Sequence, residues 1–192
     1  MKILGLVLFS LVALANSCRP FNEYFPEKAK ALAIVKGTHE QGQITGTVLF
    51  EQDSISSPVR VSVNISGVPS SLGPKHGFHV HQKTITTVSD VTFEICGSTG
   101  GHFNPLNKTH GNILAEIRHV GDYGNVISDQ NGNIVTNFTD NVSSLYGANG
   151  IIGRTLVLHQ LEDDLGLKND SGSLATGNAG GRIACGIIGI IP

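Results

Sequence analysis

Short apolar or alternating segments, separated by turn residues and never arranged as a helical stripe, constrain this chain more than any other feature. Residues 31–36, 42–51, 59–65, 77–81, 133–138, 155–158 and 183–191 either run apolar or alternate apolar with polar. That is the period of strands. The 24 glycines are scattered among Val, Ile and Thr, a mixture that suits short strands and tight turns. Neither an internal repeat nor a dividing linker interrupts the pattern. It predicts one all-β domain, sandwich or barrel, with a core that a 40% hydrophobic composition can fill. Two stretches break the rhythm: His81 to about Glu116, and Asp163 to Gly181. Loops of that length without structure of their own are uncommon unless they are functional or disordered.

The N-terminus has its own logic. Lys2 is followed by a short apolar run, residues 3–15, that ends in the small-residue pattern Ala13-Leu14-Ala15. This is the form of a secretory signal peptide over 1–17, cleaved after Ala15 or after Ser17. Residues 18–30, with Pro20 and Pro26, read as an irregular lead-in, and 31–192 as the domain. No later run is long enough for a transmembrane segment. The expected location is therefore extracellular. In a secretory pathway, Asn-X-Ser/Thr sequons at Asn64, Asn107, Asn137, Asn141 and Asn169 become candidate glycan acceptors. Disulfides also become possible, and Cys18, Cys96 and Cys185 allow one pair with one thiol left over. With a net charge of −2 and no basic run, nucleic acid is not an expected partner.

The compositional oddity is eight histidines, most of them in the long loops or beside them. His79-Val80-His81 on a strand would project two imidazoles from one face, half of a copper or zinc site. His159 ends 155–159, where alternation puts Thr155, Val157 and His159 on one side. His102, His110 and His119 lie with Asp122 in a segment of little regular structure. Three imidazoles and a carboxylate make a reasonable tetrahedral set for zinc, and an ion there would spare the loop a core of its own.

These segments resemble the copper/zinc superoxide dismutase family. The likeness runs through 77–81, 101–106, 110–111, 118–122, 124–126, 151–157, His159, 163–166 and 176–186, in family order. The resemblance implies a Greek-key β-barrel or sandwich of about eight antiparallel strands with two long metal-site loops. It implies copper on His79, His81, His102 and His159, and zinc on His102, His110, His119 and Asp122, with His102 shared. By the same resemblance Asp163 links a copper-ligand ring to a zinc-ligand ring, and Cys96 pairs with Cys185. Arg182 attracts superoxide, and His102 supplies a proton. The resemblance also implies a homodimer, although the stretch from His81 to Cys96 is longer than the usual interface loop. The second loop, 167–175, has only Lys168 and Asp170 as charges, so electrostatic steering should differ. The competing reading is an inactive copper/zinc-binding homologue acting as a binding or decoy protein. Such a chain should lack a copper ligand, Arg182 or Asp163, and this one lacks none of them.

Overall fold

Alternation decides the architecture. In β3 (Val59–Ser66), Val59, Val61, Val63 and Ile65 are buried, while Arg60 and Asn64 are exposed. A strand with one apolar face needs a partner surface. β1 (Ala29–His39) and β2 (Gly42–Gln52) supply it, paired antiparallel from Ala29 opposite Gln52 to His39 opposite Gly42. The computed structural model describes residues 28–39, 42–87 and 92–192. The expected signal peptide, and the lead-in up to residue 27, lie outside the described residues.

The remaining strands are β4 (Lys75–His81), β5 (Asp122–Ile127), β6 (Ile134–Asp140), β7 (Thr155–His159) and β8 (Arg182–Ile191). All eight form one antiparallel sheet in the order β5-β4-β7-β8-β1-β2-β3-β6, rolled into a nearly closed barrel with β5 and β6 at its ends. β3 lies beside β6 and β4 beside β7, so the chain makes the long crossings of a Greek key. Inside sit Ala31, Val48, Phe50, Val61, Phe78, Val80, Ile134, Leu156, Leu158 and Ile188, each fully buried. Burial of a Val, Leu, Ile or Phe side chain is worth about 1.5–3 kcal/mol. No helix among the described residues is long and apolar enough to cross a membrane.

β4 and β7 break the one-face rule. Phe78, Val80, Leu156 and Leu158 point inward, yet His79, His81, Val157 and His159 on the outer face are buried too. The two long loops lie over that face. Each contains a short helix, α1 (Thr92–Gly97) and α2 (Ser171–Thr176), which no periodic stripe in the sequence announced. Asp170 caps α2 by accepting a hydrogen bond from Ser173 N at 2.8 Å, and Gly177 ends it at φ 65°. Cys96, at the end of α1, is disulfide-bonded to Cys185 on β8, and Val157 packs beside the pair. The bridge closes a separation of 89 residues. In the chain-entropy picture, a loop of that size destabilises the unfolded state by about 4.6 kcal/mol. The first loop is thereby fixed to the barrel next to β7.

Candidate metal centre

The ladder positions the first half of the site. His79 and His81 share the outer face of β4, and His79 lies opposite Val157 of β7. His159 ends β7 just after a register shift between Leu158 and His159, and it pairs with Arg182. Such an irregularity re-aims the side chain that follows it. His102 reaches this face from the first loop through an isolated bridge to His81.

The second half hangs on close backbone contacts. Val80 N donates to Gly121 O at 2.9 Å, Gly121 N to Phe103 O at 3.0 Å, and Phe103 N to Val80 O at 2.8 Å. A Cβ on Gly121 would sit 2.2 Å from Val80 O, so only glycine permits the contact. Asp122 then opens β5 with its carboxylate directed into the loop. Its Oδ2 accepts from His119 N at 2.8 Å and Gly111 N at 3.1 Å. Behind it, the fully buried Arg118 pairs with Asp140 and donates to Asp122 O at 2.6 Å.

Hydrogen bonds on the far side of each ring fix which nitrogen faces the centre. A carbonyl oxygen only accepts, so His81 Nδ1 donates to Gly100 O at 2.8 Å and His159 Nδ1 to Gly180 O at 3.2 Å. Asp163 takes two rings, with Oδ2 2.9 Å from His79 Nε2 and Oδ1 2.7 Å from His110 Nε2. In the neutral rings the opposite nitrogens therefore carry lone pairs. Those of His81 and His159 face each other at 3.2 Å, an arrangement that calls for a cation near both.

His79, His81, His102 and His159 form one ligand-sized cluster, and His102, His110, His119 and Asp122 form a second, with His102 in both. In the second, Asp122 Oδ1 is 2.8 Å from His102 Nδ1 and 3.1 Å from His119 Nδ1, and the two imidazole nitrogens are 3.4 Å apart. Tetrahedral zinc with bonds of about 2.0–2.1 Å needs ligand edges of about 3.3 Å. Three ring nitrogens, His79 Nδ1, His102 Nε2 and His110 Nδ1, are buried without a hydrogen-bond partner. Left bare, each would cost about 1–3 kcal/mol. His110 Nδ1 lies 3.0 Å from Asp122 Oδ2, but not in hydrogen-bonding geometry. The residues present thus fit two metal ions that share one ring.

Electrostatics agree for the first cluster. Burial and the neighbouring rings of His102 and His159 hold His79 and His81 well below the usual histidine range. Burial and His102 lower His159 to about 3. All three rings are neutral near pH 7, as ligands must be. In the second cluster burial pulls His110 down, but the carboxylates of Asp122 and Asp163 outweigh it and push it up to about 9. Burial opposes ionisation of Asp122, yet hydrogen bonds with His102 and His119 and the close approach of the His110 ring hold it far below the carboxylate range.

The all-imidazole cluster opens into a pocket of about 90 Å³ lined by His81, His102, His159, Thr176 and Arg182. The Arg182 guanidinium is half-buried and tightly held. Nη1 donates to Cys96 O at 2.7 Å and Thr99 Oγ1 at 2.9 Å, and Nη2 to Gly100 O at 2.6 Å. His79, His81, His102, His110, His119, His159, Asp122, Asp163 and Arg182 are thus all in this region, with the Cys96–Cys185 disulfide beside Arg182. Asn125 lies in the matched stretch 124–126 but has no role assigned by the resemblance, and it brackets Asp163 in both directions at 2.8 Å. Gly177, in the matched stretch 176–186, is given no role either, although a Cβ there would meet Asp163 Oδ1 at 1.8 Å and His110 Nε2 at 2.5 Å. Thr176 in the same stretch is given none, because it belongs to no ligand motif.

A barrel with two linked histidine clusters and an arginine at the pocket mouth defines a metalloenzyme with two metal sites. Residues 44–188 match the family described as copper/zinc superoxide dismutase (SODC). A copper/zinc superoxide dismutase of Schizosaccharomyces pombe is 49% identical over 161 residues, 84% of this chain and 97% of the relative. One of Neurospora crassa is 47% identical with the same coverage. An extracellular copper/zinc superoxide dismutase of Drosophila melanogaster is 46% identical over 165 residues, 86% of each chain. The chain belongs to the copper/zinc superoxide dismutase family and is an enzyme of that family, with copper and zinc as its cofactors.

Proposed function

We propose that this chain is a secreted enzyme that dismutates superoxide, with copper on His79, His81, His102 and His159 and zinc on His102, His110, His119 and Asp122. The observation that carries the reading is the membership of His102 in both clusters, with Nδ1 beside Asp122 and His119 and Nε2 buried without a partner. Donor chemistry supports the division: an all-imidazole set suits copper, and three imidazoles with a carboxylate suit tetrahedral zinc. Bound copper would supply a one-electron couple that oxidises one superoxide to dioxygen and reduces a second, released with two protons as hydrogen peroxide; zinc would supply charge without redox chemistry.

The chain's own groups do the rest. Arg182, held by backbone carbonyls, presents a fixed positive charge to an anionic substrate entering the pocket. His102 Nε2 is the ring nitrogen from which a proton reaches the reduced substrate. Asp163 holds His79 and His110 at the same time, so the two rings keep their orientation together. An inactive homologue would need a missing group among these, and each is present. The test is the dismutation rate of the purified chain with copper and zinc counted in the same sample. Fast turnover with one of each metal per chain supports the reading; full occupancy without turnover overturns it.

Secretion rests on the apolar leader before Ala15 and on the disulfide, which persists in oxidising compartments. The extracellular relative from Drosophila melanogaster adds to this. N-terminal sequencing of the exported protein should find a start just after residue 15 or 17. Pairing of two copies is supported by an apolar groove along β1 and β8, where Ile34, Ile187 and Ile190 are exposed. Sedimentation of the metal-loaded chain tests it, and a monomer at all concentrations would rule it out.

A further inference from the structure

We propose that Asn64 and Asn137 carry N-linked oligosaccharides, and that these sugars shield the unpaired β6 edge of the barrel and the apolar residue beside it. The proposal rests on the secreted reading above, which brings the chain to the oligosaccharide-transferring machinery. Both asparagines sit within strands, where asparagine is a poor fit. Both are exposed, and neither side chain has a hydrogen-bond partner among the described residues, so packing does not explain them.

The register makes them neighbours. Asn64 lies opposite Val135, and Asn137 lies opposite Ser62, so the two face outward diagonally across one strand pair. Alternation turns the hydroxyl residue of each sequon, Ser66 and Thr139, to the same side as its asparagine. The other sequons differ. Ser143, the hydroxyl partner of Asn141, is buried and bonded to Tyr123 at 3.0 Å. Asn107 and Asn169 have positive φ and lie in the loops folded over the metal centre.

The face they share has something to cover. β6 ends the sheet: β5 packs against it through Tyr123 and Phe138 but makes no ladder with it, and Val135 is 73% exposed. An edge with unpaired backbone groups and an exposed apolar side chain is a template for pairing with another chain. A sugar on Asn64 would stand over Val135, and one on Asn137 over the centre of β6. The apolar β1–β8 groove has no sequon in its lining, so that side stays bare.

The modification balances simply. The Asn side-chain nitrogen forms a bond to the anomeric carbon of a lipid-pyrophosphate-linked oligosaccharide. The carbon–oxygen bond to the pyrophosphate breaks, the pyrophosphate leaves with the electron pair, and the amide gives up one proton.

The test expresses the full chain in eukaryotic cells with its own leader and, in parallel, with residues 1–17 replaced by a proven secretion leader. Glycopeptide mapping should find sugar on both Asn64 and Asn137. Asn64→Gln with Asn137→Gln should keep the dismutation rate and metal content, yet aggregate several-fold faster by light scattering. Bare Asn64 and Asn137 in the chain exported by the proven leader would overturn the proposal. Unchanged aggregation of the double variant would overturn the shielding role. Retention of the native-leader form inside the cell, with Met1 intact, would overturn the secreted reading, and the proven-leader arm would still decide the proposal.

Discussion

The two histidine clusters share a residue but are built by opposite means. His79, His81 and His159 stand on strands whose ladders are complete without any ion. His110 and His119 sit in a loop that has no strand of its own, Asp122 opens β5 where that loop ends, and the loop meets β4 through the Gly121–Val80–Phe103 contacts and the His102–His81 bridge. The strand cluster is fixed by the barrel. The loop cluster is fixed by charge and by what it binds. A fold of this kind can keep a redox site rigid while leaving the covering loop to the second ion.

The sharpest way to break the comparison is His81→Ala. It should abolish dismutation and copper binding while leaving zinc affinity and barrel stability as they were, measured by metal titration and thermal unfolding. If zinc were lost with it, the clusters would not be separately supported. Next comes His119→Ala, which removes a loop ligand. Amide exchange should then rise across residues 99–121 and 163–181, while β1, β2 and β3 stay protected. Equal loosening of the barrel would mean that zinc supports the fold as a whole.

Asp163→Asn addresses the link between the halves. Because one carboxylate holds His79 and His110, both metals should bind about 10–100-fold more weakly. An effect confined to one metal would show that the link is not shared. The smallest expected change is in Arg182→Gln. Its chain should load both metals normally but lose about tenfold in kcat/KM and much of its salt dependence. With only Lys168 and Asp170 charged in 167–175, the rest of that loop offers little steering to compensate.

Seven of the eight strands could be read from alternation or apolar runs, because their inner faces are continuous. β5 escaped that reading. Asp122-Tyr123-Gly124-Asn125-Val126-Ile127 begins with a ligand and has Gly and Asn at its centre. Pairing with β4 holds it extended, from Lys75 opposite Ile127 to His79 opposite Asp122. α1 and α2 escaped because six residues are too few for a helical period. The candidate ligands were legible because imidazoles in number are rare and the segments that carry them resemble one family. Their supports were not: Gly177 and Asn125 matter only once the second loop lies against Asp163, a tertiary contact that no local pattern encodes.

The claim at the centre of this account is that one ring serves both ions, and the copper and zinc affinities of His102→Ala test it most directly. The account predicts that, among the histidine variants, His102→Ala weakens both metals, whereas His81→Ala weakens only copper and His119→Ala only zinc. Wild-type affinity for either metal in His102→Ala would contradict it.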